Sequence, residues 1–217
     1  MVGIRPIISE VEDFMTQIIV VSGSHRPGSQ SLKVSKVFVS SLMGRGTVNG
    51  VSILDLADQT LPLWGMDETQ GQISQVDVAE LKNNISAASG FVIVCPEWHG
   101  MVPAALKNFF LHFSGGELAH KPALLTAVSS GIGGAYPISE LRASSYKNSR
   151  ICYLPEHLIV RNVESVLNEN SALNNGNHNS LMERLEFCVD LLVEYVNAFK
   201  RIRDSEVVSN KRFKNGM

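Results

Sequence analysis

The sequence has few cysteines, no long apolar run and no excess of charge of either sign. Its three cysteines, Cys95, Cys152 and Cys188, are far apart and form no Cys-x-x-Cys pair and no zinc-ligand spacing. This excludes a disulfide framework and predicts reduced thiols, at least two of them in the core. No apolar run approaches the roughly 18 residues that a membrane-spanning helix needs. The 19 basic residues against 21 acidic ones leave a net charge of −2, which does not favour a nucleic acid or an acidic membrane as partner.

The N-terminal stretch lacks the pattern of a targeting segment. Glu10, Glu12 and Asp13 interrupt the region that would have to be continuously apolar in a signal peptide. We therefore predict a cytoplasmic protein with no membrane partner. A short helix around Ser9–Met15 fits this stretch as well.

Length and composition indicate one globular domain. Hydrophobic residues make up 44% and charged residues 18% of the 217 residues, which is typical of a folded protein and enough for one α/β core. We predict a single domain over residues 1–217, with a lead-in segment at 1–16 and a flexible tail at 204–217.

Five short apolar runs predict strands that are buried on both faces, as in a parallel sheet. They are Ile18–Ser22, Val51–Leu56, Gly90–Cys95, Ala123–Val128 and a run within Ile151–Val160. Each run is followed by apolar residues at helical spacing. The predicted helices run from Leu32 to near Gly44, over Val76–Ala88, from Pro103 to Phe113, over Ala135–Asn148 and from Ser180 onward, after an Asn-rich loop at Asn168–Asn179.

This alternation predicts a three-layer, doubly wound α/β fold with a five-stranded parallel sheet of order 2-1-3-4-5. In that order the carboxyl ends of strands one, three and four are neighbours, at the switch point where such sheets bind ligands. The loops that follow these three strands are the most distinctive in the chain. They are loop one (Gly23–Ser31), loop two (Pro96–Gly100) and loop three (Ser129–Gly134).

Loop one has the residues that a phosphate group requires. Its glycines allow close backbone approach, and the helix after it offers free N–H groups. Ser24, Ser29 and Ser31 can donate hydroxyl hydrogen bonds, and Arg26 can pair with a phosphate dianion. The simpler alternative is that Ser29 only caps the helix and Arg26 is solvated.

Loops two and three are suited to a flat ring. Trp98 and His99 can cover a heteroaromatic ligand whose edge is bound by backbone amides, although ordinary packing of Trp98 is an equal alternative. We predict that Glu97 is a structural hydrogen-bond acceptor or an interface residue and not a general base. Asp55, at the end of strand two, suggests a ribose contact, but because the dinucleotide fingerprint is missing we predict a surface or structural role for it.

Three segments carry a family resemblance: G-S-H-R-P-G-S-Q-S-L, then P-E-W-H-G-M-V-P-A-A-L-K-N, then S-S-G-I-G-G-A. In this order they resemble the NADPH-dependent FMN reductase family of flavodoxin-like proteins, which is similar to soluble quinone, chromate and azo reductases. The resemblance extends from about Gln17 to Val166, and the second segment is its most specific part.

The resemblance implies an FMN-dependent enzyme that takes hydride from NADPH (or NADH) and reduces a small-molecule acceptor such as a quinone, a flavin or an azo compound. It assigns no catalytic side chain, because FMN performs the chemistry. The implied cofactor-binding residues are Ser24, Arg26, Ser29, Gln30, Ser31, Leu32, Pro96, Glu97, Trp98, His99, Gly100, Ser129, Ser130, Gly131 and Gly134.

The sequence departs from the family at two places. Trp98-His99 replaces the frequent Tyr-Asn, and Ser31 replaces a frequent Asn. The resemblance also implies a homodimer or homotetramer with sites near the subunit interface. The segment Leu63-Trp64-Gly65-Met66 would then help to wall a site, unless Trp64 plugs the end of the core.

Two other functions compete with this interpretation. Ala127–Gly131 (AVSSG) follows a strand and resembles the nucleophile turn of a serine hydrolase, with Ser129 as nucleophile. No acid and histidine follow at suitable positions, since His178 lies in the Asn-rich loop. A flavin-binding redox protein without turnover is the third possibility, although such carriers are usually more acidic. His99, His112 and His120 match no metal-ligand spacing.

Overall fold

A computed structural model describes residues 16–65 and 77–208. The strands and α-helices within these ranges alternate along the chain. In order they are β1 (Gln17–Ser22), α1 (Gln30–Met43), β2 (Gly50–Asp55), α2 (Val78–Ala87), β3 (Gly90–Pro96), α3 (Ala104–His112), β4 (Pro122–Val128), α4 (Ala135–Ser144), β5 (Cys152–Val160) and α5 (His178–Arg203). The helix predicted around Ser9–Met15 and most of the predicted tail lie outside the described residues.

The five strands form one all-parallel sheet of order β2-β1-β3-β4-β5. This confirms the predicted topology. The runs Gly90–Pro96 and Pro122–Val128 are buried at every residue, as expected for central strands with a helix layer on each face. β1, β3 and β4 are neighbours, so the loops that follow them leave the same edge of the sheet.

Side-chain alternation along the strands supplies two separate cores. Val92 and Val94 face α1 and α5, where Phe38 and Leu192 are buried. Ile93 and the residues two positions before and after it on β3 face the opposite side, which α2, α3 and α4 cover. The result is the predicted three-layer arrangement, since each residue of a strand points to the face opposite its neighbour's.

Two helix ends differ from the prediction. α4 ends at Ser144 and not at Asn148, because the hydroxyls of Ser145 and Ser149 donate to the carbonyls four residues earlier and compete with helix continuation. α5 begins at His178, two residues before the prediction. A 3₁₀ turn at Ser171–Leu173 lies within the predicted Asn-rich loop.

Cys95 and Cys188 are buried and all three thiols are free, as predicted. Burial raises the pKa of the Cys95 thiol, which leaves it unreactive. Within the two described ranges, no helix has the length and apolar character needed to cross a bilayer.

Candidate functional site

Loop one begins at a glycine that the packing requires. The Gly23 N–H donates to the Val94 carbonyl at 2.8 Å, which ties the loop to the end of β3. A β-carbon at this position would lie 2.8 Å from that same oxygen and 2.9 Å from Leu106 Cδ2. The next residue, Ser24, is buried, and its Oγ accepts a hydrogen bond from the Arg26 N–H at 3.1 Å. Loop one is therefore a tight, preformed turn at the start of α1.

The first turn of α1 leaves polar atoms available to a ligand. Ser29 is the N-cap, and its Oγ accepts from the Leu32 N–H at 3.1 Å, which is the capping role considered for it. Ser31 Oγ and Gln30 Oε1 are buried with no hydrogen-bond partner in the described chain. Buried polar atoms are rarely left unpaired. A phosphate group at the positive end of α1 would accept a hydrogen bond from Ser31 Oγ, so this serine fits the phosphate group of FMN, whereas Gln30 Oε1 is an acceptor and needs a donor.

Loop two is a two-residue turn that presents His99 at its tip. Trp98 and Met101 exchange backbone hydrogen bonds of 3.1 and 3.0 Å. Between them His99 has φ 52° and Gly100 has φ 75°. Two consecutive positive φ values are the geometry of a type I′ turn. The turn exposes His99 and leaves Trp98 half-buried.

Trp98 joins loop one to loop two. The Arg26 guanidinium carbon lies 4.4 Å from the centroid of the Trp98 ring, in cation–π contact. The His25 ring meets the same tryptophan edge-on, with centroids 4.6 Å apart. Neither role predicted for Arg26, solvation or a phosphate contact, includes this stacking contact with Trp98. No local pattern signals it, because the two loops are about 70 residues apart in sequence.

Glu97 joins loop two to loop three. Its backbone N–H donates to the Val128 carbonyl at 2.9 Å, and its carboxylate accepts a hydrogen bond from the Gly134 N–H. The carboxylate also lies against Gly133, where a β-carbon would be 2.7 Å from an oxygen. A carboxylate at the N-terminus of α4 is stabilised by the helix dipole. The prediction of a structural acceptor is confirmed.

Loop three is held from its other side by the residues after β5. The Ser129 N–H donates to the Val160 carbonyl at 2.9 Å, and the Asn162 N–H donates to the Gly131 carbonyl at 2.8 Å. Arg161 Nε adds a hydrogen bond of 3.0 Å to the Gly133 carbonyl. Ser130 and Gly131 are exposed at the tip of the loop. Arg161 is not among the predicted site residues, because no sequence motif provides a signal for it.

Glu140 on α4 is a further positioning residue without a sequence signal. Its Oε2 accepts from the Val102 N–H at 2.9 Å, and its Oε1 pairs with Lys107 Nζ at 2.6 Å. Burial would raise the pKa of Glu140, but the bonds from Lys107 and Val102 lower it below its ordinary value. Glu140 thus connects α4 to the chain that leaves loop two.

The remaining predicted residues lie as follows. Pro96 is the last residue of β3 and not part of the loop, Leu32 is half-buried on α1, and Gly134 is the N-cap of α4. Asp55 is buried and its Oδ1 accepts from the Ala57 N–H at 3.4 Å, which is a structural role. In the described part of the chain, no three His, Cys, Asp or Glu side chains lie close enough to hold a metal.

The geometry at Ser129 does not support a hydrolase. Ser129 Oγ accepts from the Gly131 N–H at 3.3 Å, and no hydrogen bond joins it to a histidine in the described ranges. His178 accepts instead from the Leu167 N–H through Nδ1 at 3.2 Å. A nucleophilic serine needs a base within hydrogen-bond reach.

Two relatives of similar sequence are named as reductases. The chain is 32% identical over 129 residues to an NADPH azoreductase from Bacillus sp. (strain OY1-2), covering 59% of this chain and 67% of that protein. It is 34% identical over 124 residues to a quinone reductase from Escherichia coli (strain K12), covering 55% of this chain and 63%, less than two thirds, of that protein.

A solved structure shows the same fold. The flavoenzyme NAD(P)H:(acceptor) oxidoreductase (FerB) from Paracoccus denitrificans superposes with a TM-score of 0.66 at 20% identity, covering 85% of this chain and 99% of that chain. The family model described as NADPH-dependent FMN reductase matches residues 16–164, which include all three loops. The chain therefore belongs to the NADPH-dependent FMN reductase family.

Proposed function

We propose that the protein is an FMN-dependent NAD(P)H oxidoreductase that reduces a small electron acceptor of the quinone, flavin or azo class. One observation carries the proposal: the three loops meet at one sheet edge, where Ser31 Oγ is buried with no hydrogen-bond partner among residues 16–65 and 77–208. The relatives named NADPH azoreductase and quinone reductase support this acceptor class. FMN, when bound, supplies the hydride chemistry.

The chain's own residues bind and orient the cofactor. Ser24, Ser29, Ser31 and the first-turn amides of α1 would hold the phosphate, with Arg26 available above them. Loops two and three would hold the ring through their backbone groups, and Trp98 would border its face. Glu97 keeps the two ring loops at a fixed spacing through its bond to Gly134. No side chain of the loops has to transfer a proton.

A flavin-binding redox protein without catalytic turnover is the weaker alternative to the reductase. A carrier would be expected to have a strongly acidic surface for docking, whereas this chain has a net charge of −2. The cytoplasmic location and the absence of nucleic-acid and membrane partners stay predictions from composition.

The proposed function is tested on the purified protein. We expect a yellow protein with a flavin absorbance band near ~450 nm, a property of the cofactor, that NADPH bleaches under anaerobic conditions and that a quinone restores. Steady-state NADPH oxidation should depend on the quinone. A colourless protein that does not bind added FMN would contradict the proposal, and bleaching without acceptor-dependent turnover would indicate the carrier.

We further propose a homo-oligomer, with an interface over α3 and α4. A cavity of about 490 Å³ lies between these helices and is bordered by Trp64, Phe110 and Leu111. Trp64 is 57% exposed and Leu111 is 49% exposed. The alternative in which Trp64 plugs the core is therefore wrong. Exposed apolar patches of this kind mark association surfaces, and a second copy would bury the patch on both subunits.

Leu111→Glu should convert the oligomer to a single chain, because it places a charge in the centre of the apolar face. Size-exclusion chromatography with light scattering measures the mass. The matched control is Met43→Glu on α1, which is also exposed but lies on the opposite layer of the sheet and should leave the mass unchanged. A monomeric wild-type protein, or an oligomer that survives Leu111→Glu, would count against this interface.

A further inference from the structure

A second cavity lies beside loop three. It has a volume of about 400 Å³ and lies between β5 and the first two turns of α5. Its lining is mostly polar, in contrast to the apolar cavity between α3 and α4. The polar side chains that line it are His157, Arg161, Asn162, Asn177, Ser180 and Arg184. Hydrogen-bond donors and cations predominate in this set, and it contains no carboxylate.

Arg161 is the uncompensated charge of this cavity. Its Nε is fixed by the hydrogen bond to the Gly133 carbonyl, which leaves both terminal nitrogens of the guanidinium free to bind. None of the ion pairs of the described chain includes Arg161. Arg184 differs, because its guanidinium pairs with Glu156. An exposed arginine whose orientation is fixed by a backbone carbonyl is well placed to bind a phosphate dianion in a bidentate manner.

His157 adds a second unpaired group. Its Nδ1 is buried and has no hydrogen-bond partner in the part of the chain that the structure describes. Buried ring nitrogens are normally paired. Asn177, at the start of α5, adds a side-chain amide to the same cavity, whereas the Ser180 hydroxyl donates to the Asn177 carbonyl at 3.1 Å. The cavity therefore combines a guanidinium, an imidazole and neutral donors, which suits an oxyanion.

The position of the cavity connects it to the predicted flavin site. The Asn162 N–H donates to the Gly131 carbonyl, and Arg161 donates to the Gly133 carbonyl, so the cavity and loop three share a wall. Neighbouring strands are about 4.8 Å apart, so β5 lies about 10 Å from β3 and from loop two that follows it. A dinucleotide that has its reactive ring at loops two and three can extend across this distance.

We propose that this cavity binds the 2′-phosphate of the nicotinamide donor, with Arg161 as its main contact, and thereby selects NADPH over NADH. The 2′-phosphate is a dianion that NADH lacks, and no other cation lining the cavity is unpaired. This proposal rests on the proposed reductase function. It goes beyond it by assigning donor specificity to a residue outside the three loops.

The test compares Arg161→Ala with the wild-type protein loaded with FMN. We expect the ratio of kcat/KM for NADPH to kcat/KM for NADH to fall about 10- to 100-fold, the loss of a charge-assisted hydrogen-bond pair, while a change common to both donors would report the lost bond to the Gly133 carbonyl. Arg161→Lys should restore part of the NADPH affinity, because it keeps the charge. The control is Arg201→Ala, an exposed arginine at the far end of α5, which should change neither donor.

A binding experiment gives a readout that does not require turnover. Isothermal titration calorimetry should show that adenosine 2′,5′-bisphosphate binds the wild-type protein at least tenfold more tightly than adenosine 5′-monophosphate, and that Arg161→Ala removes this difference. Inorganic phosphate that binds as tightly as the bisphosphate would indicate a general anion site and overturn the proposal. An equal loss for NADPH and NADH would also overturn it, since Arg161 would then act only through loop three. Failure of the reductase function itself would appear separately, as absence of bound FMN.

Discussion

Gly134→Ala is expected to destabilise the protein by about 2–4 kcal/mol and to weaken FMN binding at least tenfold. Gly134 has φ 104°, which side chains other than glycine adopt only with strain. The new β-carbon would clash with Ile159 Cγ2, so β5 or loop three has to move. Because the Gly134 N–H also donates to Glu97, this movement disturbs the bond that links loop three to loop two.

Urea denaturation monitored by circular dichroism gives the stability change, and fluorescence titration of the apoprotein gives the FMN dissociation constant. Gly46→Ala is the matched control. Gly46 has no atom near the position of a new β-carbon and no positive φ, so its stability should change by less than about 0.5 kcal/mol. If Gly134→Ala were as stable as wild type and bound FMN normally, the tight packing of loop three against β5 would be disproved.

Lys121→Met is expected to cost about 3–5 kcal/mol, although Lys121 lies far from the predicted flavin site. Its Nζ donates to the carbonyls of Ile85 at 2.8 Å, Ser86 at 2.7 Å and Glu117 at 2.7 Å, and the residue is only 6% exposed. Methionine fills the space of the aliphatic stem but removes three donors. The carbonyls at the end of α2 then lose their hydrogen-bond donor. Removing one partner of a buried charged contact is strongly destabilising.

The pH dependence of the same variant tests the burial of the ammonium group. Burial, with Arg203 nearby, lowers the pKa of Lys121 from 10.5 to about 8. Between these two pH values, Lys121 is protonated more often in the unfolded chain than in the folded chain. The contribution of this group to the free energy of unfolding therefore increases as the pH rises. The stability difference between wild type and Lys121→Met should widen from pH 8 to pH 10.

The control for Lys121→Met is Lys36→Met, since Lys36 is exposed on α1. It should change stability by less than about 0.5 kcal/mol. A loss of the same size in both variants would mean that the three carbonyl contacts of Lys121 contribute nothing specific. If the stability difference between wild type and Lys121→Met narrowed as the pH rises, the assigned direction of the Lys121 pKa shift would be contradicted.

The strands, the sheet order and the three loops were predictable because their signals are local and periodic. The run Gly90–Pro96 is apolar throughout, and the observed strand is buried at every residue. Helix ends were less predictable. α4 stops at Ser144 because side-chain hydroxyls compete for backbone carbonyls, and the helical spacing of apolar residues contains no information about such bonds.

The sequence by itself determined the fold class, the family and the loops of the candidate site, because these depend on hydrophobic periodicity and on short motifs. Tertiary structure alone decided how those loops hold one another. Arg26 lies on Trp98, Glu97 binds Gly134 and Arg161 binds Gly133. These pairs are separated by 28 to 72 positions in the printed sequence. Their contacts arise only when parallel strands bring the loops to one edge, since a side chain's partners are set by packing and not by its neighbours along the chain.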